Sequence, residues 1–426
     1  MDGGRAAGVG FLLVAVVAVL VAVVAACQSP VVGSLPASPA SLATASLPAS
    51  SGGPPGSPSR PPLASAAAEA GSWTTTGSMA SFRTFGGMAV LADGTVLAPD
   101  GAFATSDSDQ GVVASSERFD PATGIWTSTD SMRDPRGGSL VLRLSDGRVL
   151  VVGGVGRAAS DAATYGVTAS AEIFDPATGH WAAAGSMSTP RSSYAGAVLM
   201  DGRVLVVGGL TTLGNSLETT PSADLFDPKT GRWTATEPMR MARVFHSATV
   251  LADGRVLVAG GTSKMSNLTF LATTEIYDPV KGSWTPTGDL VDAPQFHAAT
   301  RLHDGRVLLV GVAGPGLDRA ITAIYDLASG TWAAAAETSA PRDHATETLL
   351  LDGRVLVAGG GRPLSGPSLA SAELFDPVSG TWARAAEMSV GRSQAAASLL
   401  PDGHVLIAGG RADGRMMLTS AELFSP

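Results

Sequence analysis

Six arginines recur at one position of a long internal repeat: Arg83, Arg136, Arg191, Arg243, Arg342 and Arg392, each ten residues before an Asp-Gly pair. An acid recurs with them, as Glu117, Glu172, Asp224, Glu275, Glu373 and Glu422, while one repeat carries Pro294 and Ala323 at the two positions. Two kinds of chemistry fit this pattern: structural ion pairs within each repeat, or a ring of guanidinium groups gripping an anion such as a carboxylate. Joint loss in one repeat points to pairing, because a ligand-binding ring has no reason to shed the acid along with the arginine.

A second column lies three residues after each arginine position: Gly86, Ser139, Tyr194, His246, His297, Ala345 and Ala395. Tyr194, His246 and His297 are the polar cluster in it that could face a ligand; hydrogen-bonded residues of a central channel are the bland alternative. A metal site would need a third ligand, and no cysteine or His-rich spacing supplies one, so neither metal nor other cofactor is expected. His344 stands one residue out of this register, and alternation turns its side chain the other way. His180, His303 and His404 fall in or beside turns at the opposite end and read as solvated. Asp107-Ser-Asp109 is a fragment of a calcium loop without the rest, and Asn267-Leu-Thr269 fits a glycosylation sequon that reads as accidental.

The elements that position these residues are marked by tryptophan. Trp73, Trp126, Trp181, Trp233, Trp284, Trp332 and Trp382 are the only tryptophans and stand 48 to 55 residues apart. A rare residue recurring once per roughly 50 residues marks a structural repeat. Within one period a mostly buried strand such as 243–251 precedes Asp253-Gly254, a hairpin signal for which a type I′ turn is expected. A second strand such as 148–152 runs into a glycine pair, Gly153-Gly154. A third, such as 171–175, ends in an Asp-Pro-x-x-Gly turn, and the tryptophan opens a fourth. With 52 glycines and 27 prolines the chain suits short strands and tight turns. Four antiparallel strands repeated seven times bury both faces of each sheet by radial stacking, so the fold is an all-β, seven-bladed propeller of four-stranded antiparallel blades.

The chain stops at Ala421-Glu-Leu-Phe-Ser-Pro426, a third strand with no tryptophan after it, and Trp73 to Met79 is a fourth strand with no blade before it. The N-terminal strand (73–79) is therefore expected to complete the C-terminal blade. Over residues 72 to 426, the strand ending in Gly-Gly, the later Phe-Asp-Pro or Tyr-Asp-Pro, and the tryptophan after a short gap resemble the kelch repeat. The resemblance implies a propeller like the central domain of galactose oxidase, whose copper-radical chemistry requires a cysteine cross-linked to a tyrosine. Here the single cysteine, Cys27, lies outside the repeats, which disfavours that activity. A kelch-type sialic-acid mutarotase is similar only as a related propeller with a different blade count.

Before the repeats, an apolar run from Gly10 to Ala26 follows Arg5 and ends Val24-Ala25-Ala26-Cys27. This resembles a bacterial lipoprotein signal, which implies a signal peptide over 1–26 and lipidation of Cys27; an uncleaved signal anchor is the alternative. Either reading exports the remainder, because Arg5 holds the N-terminal end in the cytoplasm. Residues 27–71, rich in Pro, Ser and Ala, read as a tether spanning on the order of 35 Å as a flexible coil. The net charge of -9, from 28 basic and 37 acidic residues without a basic stripe, excludes nucleic acid as an expected partner. What remains is an extracytoplasmic, membrane-tethered binding module for a protein or glycan, with a galactose oxidase-like or mutarotase-like enzyme as the alternative.

Overall fold

The computed structural model describes residues 70–104, 110–158, 161–213, 216–266, 269–314, 318–361, 367–413 and 416–426. Residues 1–69, with Cys27, the apolar run and most of the tether, lie outside the described residues, as do Asp107, Asp109 and Asn267.

Seven four-stranded antiparallel sheets, numbered here as blades 1 to 7 in repeat order, account for the repeats. In blade 2, for instance, Leu140–Arg143 is innermost, followed outward by Val149–Val152, Ser170–Asp175 and His180–Ser186. The innermost strands of successive blades adjoin one another around a closed cycle, blade 7 meeting blade 1. One apolar cluster spans that junction, joining Val96 and Phe119 to Leu406 and Ala421. The second strand of each blade is apolar at every position because a neighbouring blade covers each of its faces. All four residues of Val149–Val152, Val204–Val207 and Val256–Ala259 are buried.

The ring is fastened by its N-terminal strand. Ser72–Thr75 pairs antiparallel with Ala421–Ser425, Trp73 lying opposite Phe424. The strand is shorter than 73–79; beyond it the chain crosses to blade 1, and Gly77 N donates to Gly124 O at 2.9 Å. In all seven blades the tryptophan leans on the third-strand aromatic, with ring centroids 4.9 to 5.2 Å apart. Each such pair contributes roughly 0.5–1.5 kcal/mol beyond its buried area. In five blades the indole N–H also links to the preceding blade, as where Trp233 Nε1 donates to Ala184 O at 2.8 Å and Trp73 Nε1 to Ala386 O at 2.8 Å, while Trp126 and Trp332 lack such a partner.

Two local features differ from the sequence reading. The Asp-Gly turns are not type I′, because only the glycine has positive φ: Gly254 lies at 86° and Asp253 outside that region. Leu251 O accepts from Gly254 N at 3.1 Å and Leu251 N donates to Arg255 O at 2.8 Å. The loop is thus three residues long, a type I turn closed by a left-handed glycine, and Asp253 Oδ1 accepts the N–H of Arg255 at 3.1 Å. The glycine pair is also not universal. Blade 1 has Asp100-Gly101, and blade 5 has Gly311-Val312 inside an unbroken strand, Val307–Ala313, paired along its length with Arg319–Asp326.

Candidate functional site at the channel mouth

Each of the six arginines lies beside its acid, at 3.0, 2.9, 2.6, 2.8, 2.8 and 2.6 Å in blades 1, 2, 3, 4, 6 and 7. Both partners are buried, so the guanidinium groups are not open to a ligand. Burial lowers the arginine pKa at Arg83, Arg191, Arg243 and Arg392, and the paired acid opposes that shift. Each guanidinium also spans the ends of strands two and three. Arg243 Nη1 donates to Gly260 O at 2.9 Å and to Thr273 O at 2.8 Å. The carboxylate in turn holds the incoming connector, Glu275 accepting from Arg240 N at 2.8 Å.

The column of Tyr194, His246 and His297 turns sideways rather than into the opening. Tyr194 Oη donates to Val152 O and accepts from Leu140 N at 3.2 Å, both in the preceding blade. His246 Nε2 lies 3.1 Å from Val207 O and His297 Nε2 3.2 Å from Ser247 Oγ, again one blade back. Desolvation, with Arg243 nearby, holds His246 well below the usual histidine range, and desolvation lowers His297 to about 4. Desolvation likewise raises the Tyr194 phenol. The two histidines are neutral interblade groups at pH 7, and of the three only Tyr194 lines the cavity described below.

The residues that do reach the mouth stand two after each arginine position: Phe85, Gly138, Ser193, Phe245, Phe296, His344 and Gln394. All seven have positive φ, from 48° at Phe296 to 62° at Gly138. Left-handed backbone at a phenylalanine is strained and persists only where surroundings over-determine it. Here neighbouring blades supply the restraint: Phe245 N donates to Ser193 O at 3.2 Å, and Gln394 N to His344 O at 3.1 Å. Positive φ breaks the strand alternation that placed His344 facing away. Its ring stacks on Phe296 at 4.5 Å and meets Phe85 edge-on at 5.7 Å, while Phe245 lies 5.8 Å from Phe296.

Four aromatic rings thus crowd one side of the mouth, and Gly138 and Ser193 leave the other side open. A cavity of about 300 Å³ opens there, lined chiefly by Phe85, Ala102, Val112, Val155, Tyr194 and Phe245, with Ser139, Ser192 and Ser193 among its polar groups. Beside it Asp100, where other blades have a glycine, accepts from Gly87 N at 2.9 Å and from the Ser139 hydroxyl. Desolvation raises its pKa against those donors and Arg83.

Around the mouth, the connections between strands two and three form a crown. They include hairpins at 102–104 with 110–112, 155–158 with 161–167, 210–213 with 216–219 and 262–264 with 269–270, besides the extended hairpin of blade 5. The opposite face carries the Asp-Gly turns, where Arg203 pairs with Asp201 at 2.7 Å and reaches Pro279 O of the next blade at 3.0 Å. His180 and His404 are at that end, each 3.1 Å from an exposed aspartate, Asp130 and Asp402 respectively. Deeper in the channel, the carboxylate oxygens of Glu347 are shut off from solvent without a hydrogen-bond partner. Burial pushes Glu347 up to about 8. Among the described residues, no three His, Cys, Asp or Glu side chains gather to hold a metal ion, and no helix is long and apolar enough to cross a membrane.

The all-β ring of four-stranded sheets and its repeated Trp–aromatic pairs define a propeller. Kelch motifs match residues 191–240, 243–290 and 346–389, and together with kelch-protein relatives they support a kelch-repeat propeller. Beta-scruin of Limulus polyphemus is 27% identical over 212 residues, 48% of this chain and 22% of that protein. Kelch-like protein 34 of Homo sapiens is 30% identical over 182 residues, 42% of this chain and 26% of that protein. The chain thus spans about a quarter of the length of these curated relatives. Among solved structures, a fungal alcohol oxidase of the AA5 family in complex with copper superposes with a TM-score of 0.67 at 20% identity, over 84% of this chain and 76% of that one. YjhT superposes with a TM-score of 0.51 at 14% identity, over 81% and 95%. Both likenesses are of fold alone.

Proposed function

We propose that this chain is a binding module that captures a protein partner on its crown face, exported through residues 1–26 and held at the membrane by a lipid on Cys27 through the 27–71 tether. The observation that carries the binding reading is the contrast between the two ends of one rigid ring. At one end near-identical Asp-Gly turns repeat; at the other, connections of differing length and sequence surround an aromatic mouth. Rigid scaffolds place recognition on such divergent loops. Kelch-protein relatives favour a protein partner over a glycan. The four residues up to Cys27 support the anchor.

The test places a photo-crosslinking residue at Leu217 or Ser263 on the crown and at Val280 or Val378 on the opposite face of the full chain in its native cells. Crown positions are expected to give a discrete protein adduct, and the adduct from Ser263 is expected to disappear when the blade 3 hairpin is shortened. Equal adducts from both faces would refute the reading. In the same cells Cys27→Ser is expected to move the chain from the membrane to the soluble fraction, and unchanged fractionation would remove the lipid anchor.

A further inference from the structure

We infer that the outer edge of blade 6 is the docking site for the end of the tether, residues 66–69 continuing from Ala70 along Thr381–Ala385 as an added parallel strand. The pairing goes beyond the crown reading and requires neither its protein partner nor the lipid.

The first contact of that strand is in place. Thr381–Ala385 is the outermost strand of blade 6, and no other strand lies on its far side among the described residues. Ala70 forms a parallel bridge with Ala385 there: Ala70 N donates to Arg384 O at 3.2 Å, and Ala70 O accepts from Ala386 N at 3.1 Å. Ala70 also packs on the apolar cluster between blades 6 and 7. The bridge sets a register. In a parallel ladder both chains advance together, so Ala68 falls opposite Ala383 and Ala66 opposite Thr381. Because Arg384 O faces outward, alternation turns Arg384 N–H and both backbone groups of Trp382 outward as well. Apart from Ala70, no described residue bonds to these outward groups. Ala68 would donate to Trp382 O and accept from Arg384 N.

The segment suits the edge. Glu69 falls beside Arg384, whose side chain is exposed and has no ion pair among the described residues. Opposite charges at adjacent positions of neighbouring strands stabilise that register. Alanine has little strand preference of its own, but a segment joined to a residue already paired adds each bond without closing a new loop. The ladder ends at residue 66, because its partner turns away at Gly380, where φ is 69°. Running back from Ala70 to Ala66 carries the tether from Ala385 to Thr381, beside the turn that holds Val378 on the face opposite the crown. With Cys27 anchored as proposed above, the crown then points away from the membrane; that consequence alone rests on the anchor reading.

Hydrogen exchange at the Arg384 amide of the full chain, read by mass spectrometry with residue-level fragmentation, tests the pairing. Exchange in the parent is expected to be at least about tenfold slower than in Ala68→Pro, which removes the donor to Trp382 O. Ala67→Pro, whose missing N–H belongs to the solvent-facing side of an edge strand, should keep the protection. Equal exchange in the parent and both variants overturns the inference, as does protection that survives Ala68→Pro. Protection that fades on dilution also overturns it, by placing a second copy of the chain on this edge. None of these outcomes bears on the crown crosslinks or on fractionation of Cys27→Ser, so the readings fail separately.

Discussion

Arg243→Leu tests whether the buried ion pairs hold the blades together. The substitution removes donors from Gly260 O, Thr273 O and Glu275, which the guanidinium now reaches at 2.9, 2.8 and 2.8 Å. Breaking a buried pair by deleting one partner costs about 3–5 kcal/mol, a range that includes the donors lost with it, and Thr273 O keeps the N–H of Gly260 at 3.3 Å. Glu275 keeps Arg240 N at 2.8 Å and Met241 N at 3.3 Å, which moderates its own penalty. The net expectation is a loss of about 4 kcal/mol. Adding Glu275→Ala removes the stranded charge, so the double variant should be less destabilised than the sum of the single ones by about 1–3 kcal/mol. Equilibrium denaturation followed by both tryptophan fluorescence and far-UV circular dichroism reads these values at constant m. A single-variant loss below about 1 kcal/mol, or additivity within about 0.5 kcal/mol, would refute the reasoning.

Deleting residues 72–79 removes the outer strand of blade 7 and exposes the edge of Ala421–Ser425; the unfolding midpoint should fall for the whole ring, and a deletion variant that melts like the parent would sink the fastening. Stability should also decline as pH rises toward 8. Glu347, raised to about 8 from an ordinary 4.5, keeps its proton in the folded state while the unfolded state has lost it, so its contribution is fully present below 4.5 and is lost through 8. His297, lowered to about 4 from 6.5, acts oppositely, its contribution being lost as pH falls below 6.5. Between 6.5 and 8 the Glu347 effect stands clear of that histidine, so Glu347→Gln should flatten the decline there. Parallel stability profiles for the two proteins across that window would overturn the assignment.

The fold was legible because each of its signals is repeated. Trp233, Asp-Gly, the aromatic before Asp-Pro and the arginine recur at fixed offsets, and every recurrence makes accidental placement less credible. The mouth was not legible for a physical reason. Assigning side chains to a face by alternation assumes extended backbone, and the residue two after each arginine is left-handed in every blade. That one rotation sends His344 to the mouth and turns His246 and His297 into the blade interface. The column itself, Phe, Gly, Ser, Phe, Phe, His and Gln, has no common chemistry to flag it. Its heterogeneity beside uniform arginines was the available signal. Glu347 carried none, because its isolation arises only from packing.

Blade 5 explains why the arginine and its acid vanish together. In the blades with a glycine pair, both glycines have positive φ, as at Gly260 (65°) and Gly261 (89°), so strand two peels away from strand three toward the crown. Gly260 N still donates to Thr273 O at 3.3 Å, but the peeling leaves Gly260 O facing a gap, and the guanidinium fills it, bringing a charge that the acid must balance. In blade 5 Gly311 is not left-handed and pairs directly with Ile321, the counterparts of Gly260 and Thr273. With the strands still joined there are no stranded carbonyls, no gap for an arginine, and hence nothing for an acid at 323 to neutralise. The ion pairs are therefore a consequence of how the chain departs for the crown. A blade that leaves by continuing its strands, as blade 5 does up to Ala313 and Arg319, carries one unbroken ladder from the core of the blade to the crown.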